Sequence, residues 1–361
     1  MASLAAGYTG PPQLTLGRAF TEWTADPAMI ALVVVLGGFY LLAVRKVRRG
    51  GGQWGTGRVI AFCGLGLGFL IIATMSWVGV YEPVLFYPRA VQTVLLVLVV
   101  PLFLAMGKPL TLTETAFPGT ARSMHAVVRS RAARVVTFPA ITALALVAVP
   151  MTMYFTSWYT AVFHSGTVRE LTFLALMIPG YVFFWTLLRV DPVPKEYSYA
   201  VSMWITGAEV IGDAFFGIAV IADQNLIGAA YFHALARPWG PTLATDQVIA
   251  GGVLWILGDL VGLPFLAAQL IHMMREDESD AARIDAELDA QQAQLEAARL
   301  TAAPRDPAAL RDLHQPSASA ASAASDDQAD QGDLSDGHEP QEPQLWWETD
   351  PRFTSRFKPS S

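Results

Sequence analysis

Seven stretches of this chain stay apolar for long enough to cross a lipid bilayer, at about 28–44, 58–80, 90–107, 134–156, 168–189, 198–222 and 248–274. A hydrocarbon layer roughly 30 Å thick needs about 20 residues of helix. No water is available there, so each backbone N–H and C=O must find its partner inside its own segment or in a closed barrel. Runs this long without polar alternation select helices. The expected fold class is therefore all-α, a polytopic membrane protein built as a seven-transmembrane-helix bundle. Composition carries the same signal: of 361 residues, 53% are hydrophobic and only 15% charged.

Basic residues near the span ends set the expected orientation. With the first, third and fifth connecting loops in the cytoplasm, Arg45, Lys46, Arg48, Arg49, Arg58, Lys108, Arg122, Arg129, Arg131, Arg134, Arg189 and Lys195 lie inside. Only Arg18, Arg89, Arg169 and Arg237 lie outside. This bias predicts a multi-pass protein of the cell membrane with an outer N-terminus and a cytoplasmic C-terminus. The opening residues lack a basic start followed by an apolar core, which reads as no cleavable signal peptide, with the first helix as targeting signal.

Charge divides at residue 274. Residues 1–274 carry 16 basic and 12 acidic side chains, a net of +4, whereas 275–361 carry 8 and 19, a net of −11. The tail begins without Gly or Pro and places Ile284, Leu288, Leu295 and Leu300 at roughly helical spacing, so a cytoplasmic amphipathic helix is expected over 275–303. Residues 304–361 are rich in Ala, Ser, Asp, Gln and Pro and are expected to form a disordered acidic tail. At its end Trp346, Trp347, Phe353 and Phe357 stand among Arg352, Arg356 and Lys358, a pattern suited to docking on a partner or on anionic lipid.

Glu209 and Asp213 interrupt the sixth apolar run, in AEVIGDAFFGIAV, and Asp259 interrupts the seventh. Counted at ~1.5 Å per residue, Asp213 lies ~14 Å, Glu209 ~20 Å and Asp259 ~17 Å below the outer ends of their helices, near the bilayer midplane. The i, i+4 spacing puts Glu209 and Asp213 on one helix face, and an antiparallel neighbour can bring Asp259 to it as a buried acidic cluster. An unpaired charge there costs at least ~2.5–3.5 kcal/mol, and no Lys or Arg stands mid-span to pair with these groups. They read as a metal or proton site, or as protonated acids that hydrogen-bond helices together.

A second set of ligand types is expected at the outer surface. Met151 and Met153 close the fourth span, His164 follows in the next loop, and His233 lies in the last outer loop. Thioether and imidazole together suit copper(I); the plainer reading takes Met as core filler. Cys63 is the only cysteine, so neither a disulfide nor a CxxC metal clip can form within the chain. Pro101, Pro150, Pro179 and Pro264 fall within spans and leave carbonyls without their helical donor, which kinks the helices. The absence of a phosphate loop, a hydrolase triad or a zinc-protease helix argues against an enzyme. No basic face suits nucleic acid, and Lys46, Lys108, Lys195 and Lys358 all fall outside the spans, which excludes a retinal Schiff base.

A further set of landmarks gains specificity from its order. EWTADP precedes helix 1 with Trp23, Asp26 and Pro27, and VQTVLLVLVVPLFLAMGKPLTL crosses helix 3 with Gln92. GYVFFW and VDPVP close helix 5 with Tyr181 and Asp191, and DAFFGIAV lies in helix 6. RPWGPTLATDQVIAGGVLWILGD leads into helix 7 with Asp246, Gln247 and Trp255. In this order they resemble the CtaG family of seven-helix cytochrome c oxidase assembly factors, from about Trp23 to Pro264. The resemblance implies an integral protein of the cytoplasmic membrane, oxidase subunits as partners, and copper delivery to the oxidase or maturation of its copper centre.

The family commonly has His where this chain has Thr93, Ala175 and Asp213, and often where it has Arg89, Gly166 and Arg169. The resemblance is thus to a divergent member, in which copper binds through Met151, Met153, His164 and His233 or is not handled at all. The expected function is an oxidase assembly factor that handles copper. The alternatives are a non-metal-binding scaffold or accessory subunit of a respiratory complex, and a proton- or cation-coupled transporter built on Glu209, Asp213 and Asp259.

Overall fold

The computed structural model describes residues 8–195 and 197–302, and these are helical with no strand among them. Six helices are long and apolar enough to cross a bilayer, and a bent pair raises the number to seven. They are α1 (Pro27–Arg49), α2 (Thr56–Tyr81), α3 (Phe86–Ala116), α4 (Pro139–Tyr154), α5 (Gly166–Leu188), α6 (Tyr199–Ala222) and α7 (Leu243–Ala302). Short helices lie at Leu16–Thr21, Pro118–Val128, Arg131–Val136, Trp158–His164 and Ala229–Leu235. One compact unit ends at Ile284, and residues 285–302 belong to a second. The end of the bundle where α1, α3, α5 and α7 begin is termed the near end, and the opposite one the far end.

Local chemistry explains where the helices start and stop. Asp26 caps α1: its carboxylate accepts from the amides of Ala28 and Met29, with Pro27 in the first helical position. The last turn of α1 holds Lys46, Arg48 and Arg49, where the helix dipole favours cations. These residues were expected in a loop after a span ending near 44. Their long side chains carry charge outward while the backbone stays bonded, so the helix runs on to Arg49.

The spans pack around α3, the most deeply buried of them, whereas α1 and α6 are the most open. Within α3 a wide π-helical turn at Leu95–Val99 precedes Pro101. Pro101 has no N–H to return to the Val97 carbonyl, and α5 lies over that oxygen so closely that a Cβ on Gly180 would stand 1.9 Å from it. Only glycine lets α5 reach this depth.

The fourth span differs from the single segment expected over 134–156. It begins at Pro139, and after Tyr154 the chain turns by 68° into Trp158–His164. Arg134 sits in the separate helix Arg131–Val136. The polar triplet Thr156, Ser157 and Trp158 supplies the break, with Thr156 Oγ1 accepting from the Trp158 amide at 3.3 Å. At the other extreme α7 is unbroken from Leu243 to Ala302, joining the last span to the helix expected over 275–303. Trp346, Trp347, Phe353 and Phe357 lie outside the described residues.

Candidate functional site: a buried polar seam

The face of α6 turned toward α7 carries Glu209, 3% exposed, and the partly buried Asp213. α7 answers with two glycines at the same spacing. A Cβ on Gly258 would stand 2.8 Å from Asp213 Oδ2, and one on Gly262 would stand 3.7 Å from Glu209 Oε2. A turn or two nearer the near end, Gly217 and Gly251 bring the two backbones together, with a Cβ on Gly217 only 2.7 Å from the Gly251 carbonyl. The small residues leave the room that the carboxyl groups fill.

Glu209 and Asp213 stand one turn apart on this face, each with a carboxyl oxygen over a glycine of α7. Glu209 and Asp213 therefore lie between α6 and α7. Asp259 Oδ1 is buried without a partner. Among the described residues no group of three or more His, Cys, Asp or Glu is arranged to hold a metal ion.

A second buried polar group occupies the near half of the bundle. Arg89 of α3, counted from sequence among the outer-loop cations, is 0% exposed and pairs through Nη1 with Glu82, itself 1% exposed. Nη1 also donates to Gln92 Oε1 at 2.7 Å, and Gln92 Nε2 donates to the Ala73 carbonyl at 2.8 Å. Thr93 Oγ1 donates to the Arg89 carbonyl at 2.9 Å and lies 3.2 Å from the hydroxyl of Tyr154. Burying two charges is costly unless they meet each other and their remaining lone pairs and protons are met too. Gln92 supplies part of that provision here.

The acidic landmarks of the sequence serve as staples between elements. Asp246, at the start of α7, accepts from the amides of Phe86 at 3.0 Å and Tyr87 at 3.1 Å, capping α3 from another helix, and Arg237 Nη2 stands 3.5 Å from it. Burial pulls the Arg237 guanidinium below its ordinary pKa, while Asp246 opposes that shift. Gln247 accepts from the Ile227 amide at 2.9 Å and donates to the carbonyls of Val220 at 3.1 Å and Asp223 at 3.0 Å, fastening the end of α6. Asp191 accepts from the amides of Leu110 at 3.1 Å and Thr111 at 2.9 Å at the far end. Asp26 adds an ion pair to Arg169 at 3.1 Å. Each carboxylate meets backbone N–H groups that a helix N-terminus leaves unbonded. Trp255 lies beside Gly217 on the α6–α7 contact, Tyr181 is in α5, and Trp23 is half exposed before α1.

The four outer ligand candidates separate into two environments. Met153 is fully buried, and its sulfur stands 3.4 Å from Arg89 Nη2; Met151 packs partly buried against the core. His164 and His233 are exposed. The His164 ring meets Tyr231 edge-on at 5.7 Å, and His233 follows two residues later on the short helix Ala229–Leu235. A thioether facing a guanidinium is a poor place for a second cation, so Met153 is not grouped with the imidazoles.

Glu82, Ser202, Thr206 and Gln269 are buried polar residues that sequence reasoning passed over. For Ser202 and Thr206 a signal existed, since they continue the spacing of Glu209 and Asp213 along one face of α6.

The sequence over residues 38–276 matches the family described as Cytochrome c oxidase caa3 assembly factor (Caa3_CtaG). The chain belongs to this family. The matched stretch holds Glu82, Arg89, Glu209, Asp213 and Asp259, while Trp23, Asp26 and Pro27 precede it. This Caa3_CtaG member is 27% identical over 291 residues to the uncharacterized protein Mb0105 of Mycobacterium bovis and to the uncharacterized protein MT0111 of Mycobacterium tuberculosis. To the uncharacterized protein ML1998 of Mycobacterium leprae it is 26% identical over 291 residues. Each alignment covers 78% of this chain and 44% of the relative, so the Caa3_CtaG member spans less than half the length of the curated relatives it matches. No solved structure matches it.

Proposed function

We propose that this Caa3_CtaG member acts, without catalysing a reaction, as a membrane scaffold on which cytochrome c oxidase subunits are assembled. One observation carries the reading. Of the six positions where the resembled family commonly or often has His, three are here Arg89, Thr93 and Arg169, each bonded to a protein partner, Asp213 is packed over Gly258, and Ala175 and Gly166 have no ligating side chain. Side chains that close a bundle internally suit a rigid platform better than a resident metal. The basic residues flanking the spans support placement in the cell membrane with the C-terminal tail in the cytoplasm, and membership of the oxidase assembly family supports oxidase subunits as partners.

The test is deletion of the chain followed by measurement of assembled oxidase, from its haem absorbance and copper content. Loss of assembled oxidase that is restored by the full chain supports the scaffold. Unchanged oxidase sinks it.

A second reading has its own observation in its favour. His164 and His233 are both exposed, the His164 ring meets Tyr231 two positions before His233, and imidazole suits copper(I) held as cargo in passing. Complementation with the double variant His164→Ala, His233→Ala separates the two. Full rescue supports the scaffold alone, whereas assembled oxidase depleted in copper supports copper handover.

A further inference from the structure

Polar side chains follow one another through the bundle on the face of α6 turned inward. Ser202, Thr206 and Glu209 are all buried and, with Asp213, recur at helical spacing on one stripe. At the far end Arg189 Nη2 donates to Ser202 Oγ at 3.2 Å. The Thr206 hydroxyl donates to the Ser202 carbonyl at 3.1 Å or to Gln269 Oε1 of α7 at 3.3 Å. Gln269 is 5% exposed, and its Nε2 has no partner although it sits in this stripe. A buried amide N–H left unbonded costs free energy comparable to a lost hydrogen bond, so Gln269 Nε2 is a donor still available within the stripe.

Beyond Asp213 the stripe reaches a small cavity of about 20 Å³, lined by Asp213, Thr93, Val97, Pro150, Phe216 and Leu254. One water needs roughly 10–15 Å³ and two or more polar neighbours. Asp213 and Thr93 supply them. On the other side of the cavity stands the hydroxyl pair Thr93 and Tyr154, then Arg89 and Glu82 at the near end. The charged groups along the stripe are Arg189 at the far end, Asp259 on α7, and Glu82 with Arg89 at α3, while α4 carries none.

The geometry points to a proton-conducting path through the bundle, with the Glu209–Asp213 pair as the site where the proton is held. Carboxyl, hydroxyl and water are groups that take a proton on one lone pair and release another. A proton reaching Glu209 from the Ser202–Thr206 side is matched by one leaving Asp213 to the cavity water. That water passes a proton on for each it receives, so no bond beyond O–H is made or broken. Other cations fit this path poorly, because the cavity has room for about one water and not for a hydrated ion. This activity is separate from oxidase assembly.

The test uses the full-length chain in liposomes containing pyranine, with a potassium gradient and valinomycin supplying both the driving force and the charge balance. The expected result is proton flux at least tenfold above protein-free vesicles, falling at least tenfold in Asp213→Asn and largely retained in Asp213→Glu. Thr93→Val, which keeps the shape of the side chain and removes the hydroxyl, is expected to lose flux likewise. It decides the matter if Asp213→Asn fails to insert. Flux no greater than in protein-free vesicles, flux unaffected by both Asp213→Asn and Thr93→Val, or flux that requires sodium in place of choline would each overturn the path.

Discussion

Gly258 and Asp213 face each other across the contact of α6 and α7, and the carboxyl oxygen of one lies where a Cβ on the other would stand, 2.8 Å away. The acid is therefore accommodated by an absence in the neighbouring helix. Gly258→Leu is expected to push the carboxyl aside and destabilise the bundle by about 1–3 kcal/mol, the usual cost of overpacking. Gly252 has open space around it. Gly252→Ala is expected to be neutral or to stabilise by up to ~1 kcal/mol through helix propensity. Thermal unfolding of the two variants in detergent checks the contrast, and equal melting temperatures would remove the glycine argument.

The Glu82–Arg89 pair gives a sharper test because both partners are buried. Arg89→Leu leaves Glu82 without its counter-charge and is expected to cost roughly 3–5 kcal/mol. Replacing both residues by leucine is expected to cost much less than the sum of the single changes. A double-mutant cycle by denaturant unfolding reads the coupling, and additive costs would mean that the pair contributes no coupling.

Asp246→Ala removes the acceptor for two backbone amides, those of Phe86 and Tyr87, at the start of α3. Each orphaned amide is expected to cost about 1–3 kcal/mol where water does not reach it. Hydrogen exchange should rise first at the beginning of α3, while the middle of that helix keeps its protection. A uniform rise along α3 would point to loss of the whole fold.

Gly180→Ala places a methyl group 1.9 Å from the Val97 oxygen, a backbone atom that has no rotamer to escape into. A loss of at least ~1–3 kcal/mol is expected, with α5 displaced from α3. Disulfide trapping between cysteines introduced on these two helices would report the displacement, and unchanged crosslinking would refute it.

The spans were legible because lipid leaves few alternatives, and the α6 carboxyl groups because their four-residue spacing is local. What escaped depended on contacts between elements. Arg89 looked like a loop cation at the edge of a span, and Glu82 carried no signal of its own. Only the fold of α2 back along α3 makes them a buried pair. Met153 matched Met151 in the pattern expected of a copper ligand, but the guanidinium beside its sulfur is 64 positions away in sequence. The bend after Tyr154 left no periodicity to read, since polar residues at the end of an apolar run mark the end of a span equally well.

Asp246 stands 160 positions after Phe86, whose amide it receives. During synthesis the third helix is threaded into lipid long before the residue that closes its first turn has left the ribosome. Until then those amides need a temporary acceptor, such as water at the membrane surface or a chaperone of the insertion machinery. Completion of the near end is thereby timed to the arrival of the last span, and a chain stalled before residue 246 would remain an open, recognisable substrate for membrane proteases.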